Sequence, residues 1–463
     1  MAWSRKHYSI LTMAAVTAFM GTFLISSVNI ALPVIETEFG LDAVRLSWLI
    51  TAFLLASAIF LLPAGRIGDS QGIRRLFKIG VVVFTVSSLL CAVALSGNML
   101  IAFRFLQGAG AALINTAGPA ILVSAFPPTH RGRVLGITIS AVYLGLATGP
   151  LLGGLITQVM GWRAIFYIST AIGLVTMLLA FMVLGKDLDK PSPKAIHLKG
   201  LLFYMPGLVL LVYGTSHIPD WSGWLLLLLG IGLLTGFWIH EQHNRAPVFD
   251  TRLFSRNRLF AYSNLAALIN YSATFAIVFF LSLYLQKIQA LSPREAGTIL
   301  IAQPLTMAVF SPLAGRLADK IQVRILASIG MGMCAIGLLA FSLTGTQTPI
   351  WAIVAVLIWV GLGFAFFSSP NMSTIMGSVD KTQYGLASGT SATMRVLGQM
   401  VSITIATIFF ALFFEDHSVM EVSDETFIRA MSLGFLTFSL ICAAGVYFSF
   451  YRGKVTFDRE EET

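Results

Sequence analysis

Gly65-Arg66-Ile67-Gly68-Asp69-Ser70-Gln71-Gly72-Ile73-Arg74-Arg75 is a short, charged, glycine-rich joint between two long apolar runs. Its Gly-Arg-apolar-small-Asp pattern returns about 250 residues downstream as Gly315-Arg316-Leu317-Ala318-Asp319, again followed by an arginine, Arg324. A weaker echo at nearly the same offset pairs Pro119…Gly132 with Pro370…Gly385. Two echoes at nearly equal spacing point to an internal duplication with parallel halves, as membrane transporters use.

Apolar runs near the roughly 20 residues that a membrane helix needs recur along the whole chain. Of 463 residues, 56% are hydrophobic and 11% charged, against about 25% charged in a typical soluble protein. Six spans are expected near Ile10–Leu32, Ser47–Ala64, Phe77–Leu95, Met99–Phe126, Val134–Val159 and Ala164–Leu184. Two follow near Leu201–Tyr213 and Gly223–His240. The last six lie near Phe260–Leu285, Ala296–Ala314, Ile325–Leu343, Ile350–Met376, Leu386–Phe414 and Phe427–Phe450. The expected fold class is therefore all-α membrane. A six-helix bundle covers residues 1–190, a two-helix insertion 191–245, and a second six-helix bundle 246–463.

Loop charge orients this arrangement. Roughly 23 of the 30 lysines and arginines fall on the side of both termini, Arg74, Arg131, Arg133, Arg252, Arg316 and Arg324 among them. The opposite side takes Glu36, Glu38, Asp42, Glu415, Asp416, Glu421, Asp424 and Glu425. The bias predicts cytoplasmic termini in an inner-membrane protein. A formal charge of +9 spread over many short loops fits orientation better than a nucleic-acid stripe. Cys91, Cys334 and Cys442 lie far apart inside apolar runs, which offers no disulfide or zinc spacing. The apolar run behind Arg5, Lys6 and His7 is too long for a signal peptide and reads as an uncleaved first helix. No nucleophile–base or metal-ligand pattern suggests an enzyme, a metal or another cofactor.

At these residues the sequence resembles the major facilitator superfamily, specifically its fourteen-span drug:proton antiporter branch. The joint Gly65–Arg75 looks like the family's signature loop. Arg104-Phe105-Leu106-Gln107-Gly108-Ala109-Gly110 looks like its buried-arginine motif. Gly145-Leu146-Ala147-Thr148-Gly149-Pro150-Leu151-Leu152-Gly153-Gly154 looks like its antiporter motif, and Gly161-Trp162-Arg163 continues the pattern. One position departs. Asn29-Ile30-Ala31-Leu32-Pro33 is present, but Leu24 stands where this branch commonly carries a first-helix aspartate.

The resemblance implies a conformational switch and proton coupling built on Asp69, Arg74, Arg104, Asp319 and Glu36. Asp69 reads as a latch between bundle arrangements, or simply as a charge after a helix end. A charge at mid-membrane costs roughly 2.5–3.5 kcal/mol on insertion scales, so Arg104 should face the bundle interior, unless it snorkels to an interface. Arg395, with Gln399 one turn along, is a second such charge. Gly145, Gly149, Gly153 and Gly154 offer small faces, and Pro150 frees a carbonyl, which suits close packing and bending. Asn29, Gln107, Asn115, Tyr143, Asn270, Gln303, Asn371 and Arg395 are the expected lining of a substrate cavity.

No Asp or Glu falls in the middle of any expected span. A desolvated cation needs a counter-charge. Neutral, zwitterionic or anionic amphipaths should therefore be handled at least as well as cations. The reading is a monomeric, proton-coupled exporter of small amphipathic compounds, with the lipid bilayer as its surroundings. A dedicated exporter of one metabolite, lipid or siderophore-like compound is the alternative.

Overall fold

Six helices begin on a side chain that accepts the backbone N–H three residues on: Ser4, Asp42, Ser96, Asn257, Ser292 and Ser423. Each satisfies an N–H that the first turn leaves unbonded. Behind these caps the long apolar runs have no competing partner for their backbone in lipid, so each closes its own hydrogen bonds as a helix.

The computed structural model describes residues 4–185, 198–244, 251–318, 320–379, 384–414 and 417–453. It is helical, with no strand among the described residues. The helices are α1 (Arg5–Phe39), α2 (Ala43–Gln71), α3 (Ile73–Ala92), α4 (Gly97–Ala125), α5 (Pro128–Met160) and α6 (Arg163–Val183). Then come α7 (Leu198–Thr215), α8 (Trp221–His243) and the short α9 (Thr251–Arg256). The remainder are α10 (Arg258–Thr274), α11 (Ala276–Lys287), α12 (Pro293–Leu300), α13 (Ala302–Ala318), α14 (Val323–Ser342), α15 (Ile350–Gly377), α16 (Tyr384–Phe414) and α17 (Asp424–Phe450).

Among the described residues, thirteen helical stretches are long and apolar enough to cross a membrane, and α7 is a shorter apolar helix. The ninth expected span is two helices, α10 and α11, interrupted at Phe275. The tenth is α12 and α13, interrupted at Ile301. The first span runs well past its expected ends, because Ser4 caps it before the apolar run and Gly40, at φ 60°, stops it beyond. A left-handed residue at a helix end favours glycine.

Helix pairing repeats between the halves. The pairs α1–α5, α2–α4, α3–α4 and α3–α6 reappear as α10–α16, α13–α15, α14–α15 and α14–α17. The closest crossings need glycine. A Cβ on Gly108 would meet the Phe53 carbonyl oxygen at 2.1 Å, and one on Gly330 the Gly363 carbonyl oxygen at 2.5 Å. The α7–α8 pair leans on α2 and α16 through α7. There Tyr204 donates to the Ala58 carbonyl at 2.9 Å, and Trp48 donates to Ser216 Oγ at 2.8 Å.

Candidate functional site

The seam between the two bundles is built on the side of the molecule away from the chain termini. Pro150 of α5 meets Gly297 of α12 so closely that a Cβ on Gly297 would lie 2.1 Å from the Pro150 carbonyl oxygen. Gly154 reciprocates: its Cβ would lie 2.3 Å from the Pro293 carbonyl oxygen. Only glycine permits backbones to approach like this. Across α1 and α11, Ser282 Oγ donates to the Asn29 carbonyl at 2.7 Å, and Gln286 donates to the Ile30 carbonyl at 3.0 Å. Thr407 of α16 donates to Ser47 Oγ of α2 at 2.8 Å. Ala43 N–H reaches the His417 carbonyl at 3.1 Å.

Glu36 completes this closure. Its side chain is 1% exposed, and Oε1 accepts the Met420 N–H at 3.1 Å, while Oε2 has no hydrogen-bond partner. Lys287 holds the same loop from the other bundle, donating to the Met420 and Val422 carbonyls at 3.1 and 2.8 Å, with Asp424 at 3.6 Å.

The glycines of the fifth helix serve two different neighbours. Gly145, Gly149 and Gly153 stand one turn apart and face α1, where a Cβ would strike Thr22, Ser26 and Ser27 at 2.3, 2.5 and 2.6 Å. Hydroxyls of α1 then use the carbonyls so exposed: Thr22 donates to Val142, Ser26 to Leu146 and Ser27 to Gly149. Leu146 is the residue four before Pro150, whose ring has no N–H to bond it. Ser26 supplies the missing donor. Gly154 turns instead to the other bundle.

Arg104 is wholly buried inside the first bundle. Nε donates to the Leu49 carbonyl at 3.0 Å and Nη1 to Gln107 Oε1 at 2.6 Å, with the Phe53 ring centroid 4.5 Å away. Gln107 in turn donates to Ser88 at 2.7 Å. The group ties α2, α3 and α4 together, and Gln107, expected at a cavity, is buried in it. Leu24 is likewise core, fully buried in α1.

Asn371 is tied in a similar way. Its Oδ1 accepts from Arg452 Nη1 at 2.7 Å and its Nδ2 donates to the Ser263 carbonyl at 3.1 Å. Arg452, just beyond α17, is 1% exposed and also bonds Ser449. Burial pulls its pKa down to about 10, which leaves it charged at neutral pH. Asn371, expected at a cavity, thus caps a buried cation. Arg452 itself was not singled out by sequence, since it follows the last apolar run with no local pattern to mark it.

Other expected lining residues are scattered. Asn115 is exposed and borders a small cavity with Thr17, Thr85 and Thr176 inside the first bundle. Asn29 and Asn270 are buried with unpartnered amide atoms, and Gln303 is buried on α13 against Gly361 of α15. Tyr143 reaches across the seam, its hydroxyl 3.2 Å from Ser368 Oγ of α15. Arg395 is half-buried in α16. Arg74 is half-buried at the start of α3, the side chain of Asp69 lies outside the described residues, and so does Asp319.

A family model described as Major Facilitator Superfamily matches residues 12–403 and 263–461. Riboflavin transporter RibZ of Clostridioides difficile (strain 630) is 31% identical over 413 residues, 89% of each chain. Multidrug resistance protein Stp of Mycobacterium tuberculosis (strain ATCC 25618 / H37Rv) is 28% identical over 82% of this chain and 71% of its own. Among solved structures, a bacterial homolog of the human lysosomal transporter Spinster, in an inward-facing and unoccupied conformation, superposes with a TM-score of 0.71. It covers 97% of this chain and 98% of its own at 14% identity.

Proposed function

Since the chain belongs to the major facilitator superfamily and is a multi-pass membrane transporter, we propose that it exports small amphipathic compounds by alternating access, driven by proton entry. The single observation that carries this reading is the closure of the seam on the side away from the termini, beyond the deeper Tyr143–Ser368 contact. Glycine contacts at Gly154 and Gly297, with the Met420 N–H bond to Glu36 and the Thr407 bond to Ser47, join the bundles on the side away from the termini. With cytoplasmic termini, as loop charge favours, this is a closed outer face. Opening it requires Gly154, Gly297 and Glu36 to part from their partners together, so the two bundles rock as bodies about the seam.

Each proton entering across 100 mV supplies about 2.3 kcal/mol to drive that cycle. Glu36 is the switch residue whose geometry favours a coupling role, because the closed face buries its carboxylate and the open one returns it to water. Asp69, Arg74 and Asp319 belong to the duplicated joints on the opposite side, where a matching closure is needed. Arg104 stabilises the first bundle while it moves.

Efflux of several chemically unrelated compounds is supported by the likeness to Stp, whose name calls it a multidrug resistance protein. The second reading, dedicated transport of one flavin-like metabolite, is favoured by the 31% identity with RibZ over 89% of the chain. Reconstitution in liposomes under an imposed pH gradient separates them. Gradient-dependent movement of a mixed panel of cationic, neutral and anionic amphipaths is expected. Movement of one compound alone would favour the dedicated transporter, and movement indifferent to the gradient would overturn proton coupling.

A further inference from the structure

Arg395 is a cation in a membrane-spanning helix. Among the described residues it has neither an ion pair nor a hydrogen bond; the ion pairs lie elsewhere, at Arg45, Arg163 and Lys287. The two wholly buried arginines behave otherwise: Arg104 bonds Leu49 and Gln107, and Arg452 bonds Asn371 and Ser449. An intramembrane guanidinium is ordinarily paired or set in a water-filled cavity.

Its surroundings are built. Gly398, one turn along α16, sits so close to α10 that a Cβ would lie 2.6 Å from the Leu268 carbonyl oxygen and 2.8 Å from Tyr271 Cβ. That contact holds Arg395 beside Tyr271, which lies within electrostatic reach of both Arg395 and Tyr143. Ser368 faces the two tyrosines, 3.2 Å from the Tyr143 hydroxyl, and Phe364 meets the Tyr271 ring edge-on at 5.5 Å. The contributing helices α5, α10, α15 and α16 carry no Asp or Glu at all. Along α16, Arg395 lies roughly 18 Å from Thr407, at 1.5 Å per residue, and so on the terminal side of the closed face.

We propose that Arg395, Tyr271, Tyr143 and Ser368 form an anion-recognition subsite for a planar aromatic solute bearing a carboxylate or a similar acidic group. The proposal rests on the transport reading above for its place in a cycle, and it names the substrate class. The guanidinium fork accepts a carboxylate through two parallel hydrogen bonds. The tyrosine and serine hydroxyls supply further donors, and the rings of Tyr271 and Phe364 give an aromatic body a wall. Because Tyr143 comes from the other bundle, an occupied subsite spans both moving parts.

The test is direct binding, followed by fluorescence anisotropy, of 1-pyrenebutyrate and its uncharged amide to the full chain in nanodiscs of zwitterionic lipid. The carboxylate is expected to bind at least tenfold more tightly than the amide. Arg395→Gln should abolish that preference, and Arg395→Lys, which keeps the charge but loses the fork, should retain only part of it. Tyr143→Phe should weaken the carboxylate severalfold. Equal binding of acid and amide to the unaltered protein, which needs no variant, overturns the proposal, as does full preference in a folded Arg395→Gln. Replacing the zwitterionic lipid by an anionic one should leave the amide's affinity unchanged and weaken the acid only severalfold, since the negative surface repels it; loss of amide binding as well would assign the site to a lipid headgroup instead. Binding needs no gradient, so acid-selective binding without movement in liposomes would sink the transport reading and leave the subsite standing.

Discussion

Glu36 of the first helix and Met420, in the loop before the last, are joined across the two bundles by a 3.1 Å hydrogen bond from the Met420 N–H to Oε1. Removing the acceptor leaves a buried backbone donor unpaired, a loss of about 1–3 kcal/mol. Glu36→Ala is expected to shift the population toward the open form on that face by roughly 5- to 150-fold. Glu36→Gln, which keeps an acceptor, should shift it much less. Distances between spin labels on the two sides of the seam report the change.

Gly297 and Gly149 predict opposite kinds of damage. A methyl on Gly297 collides with the Pro150 carbonyl across the bundles, whereas one on Gly149 collides with Ser26 inside a bundle. Gly297→Ala should leave thermal stability near normal and hold the seam open. Gly149→Ala should lower the melting temperature, overpacking typically costing about 1–3 kcal/mol. If both variants melt early and keep the seam closed, the division of labour on α5 is wrong.

Arg104 is expected to be a stability residue. Truncation to Ala removes the bond to the Leu49 carbonyl, leaves Gln107 Oε1 without its donor and takes away the cation over Phe53. Hydrogen bonds to charged groups contribute about 1.5–3 kcal/mol each, so Arg104→Ala should melt well below the parent. Arg104→Lys should recover little, because an ammonium cannot reproduce a planar fork stacked on a ring. A normal melting curve for either would refute the assignment.

Asn371 and Arg452 should behave as one unit. Asn371→Ala takes one acceptor from a buried guanidinium, and Arg452→Ala removes the donor. Each alone should destabilise by about 1.5–3 kcal/mol, and the double variant should cost clearly less than their sum. Chemical denaturation of the two singles and the double checks the coupling.

How much of this could be read beforehand depended on distance along the chain. The duplicated joints at Gly65 and Gly315 gave away the two halves, because the same local grammar recurs wherever the same helix pair recurs. The spacing of Gly145, Gly149 and Gly153 showed a small-residue face, yet nothing local revealed that Gly154 belongs to a different neighbour. Asn371 looked like a cavity amide since its partner, Arg452, comes from 81 residues away. The break at Phe275 was invisible for a related reason, since neither proline nor glycine stands there. The one at Ile301 was legible, because Pro304 has no N–H for the Leu300 carbonyl one turn before it.

The helix pair that follows the first bundle makes the molecule's two flanks unequal. With Tyr204 and Ser216 fastened to α2, α7 lies over the line where α2 meets α16, while the line where α5 meets α12 and α13 has no such cover among the described residues. A solute dissolved in the bilayer therefore finds a wall on one flank. Sideways entry from lipid, wherever it occurs, is left to the other.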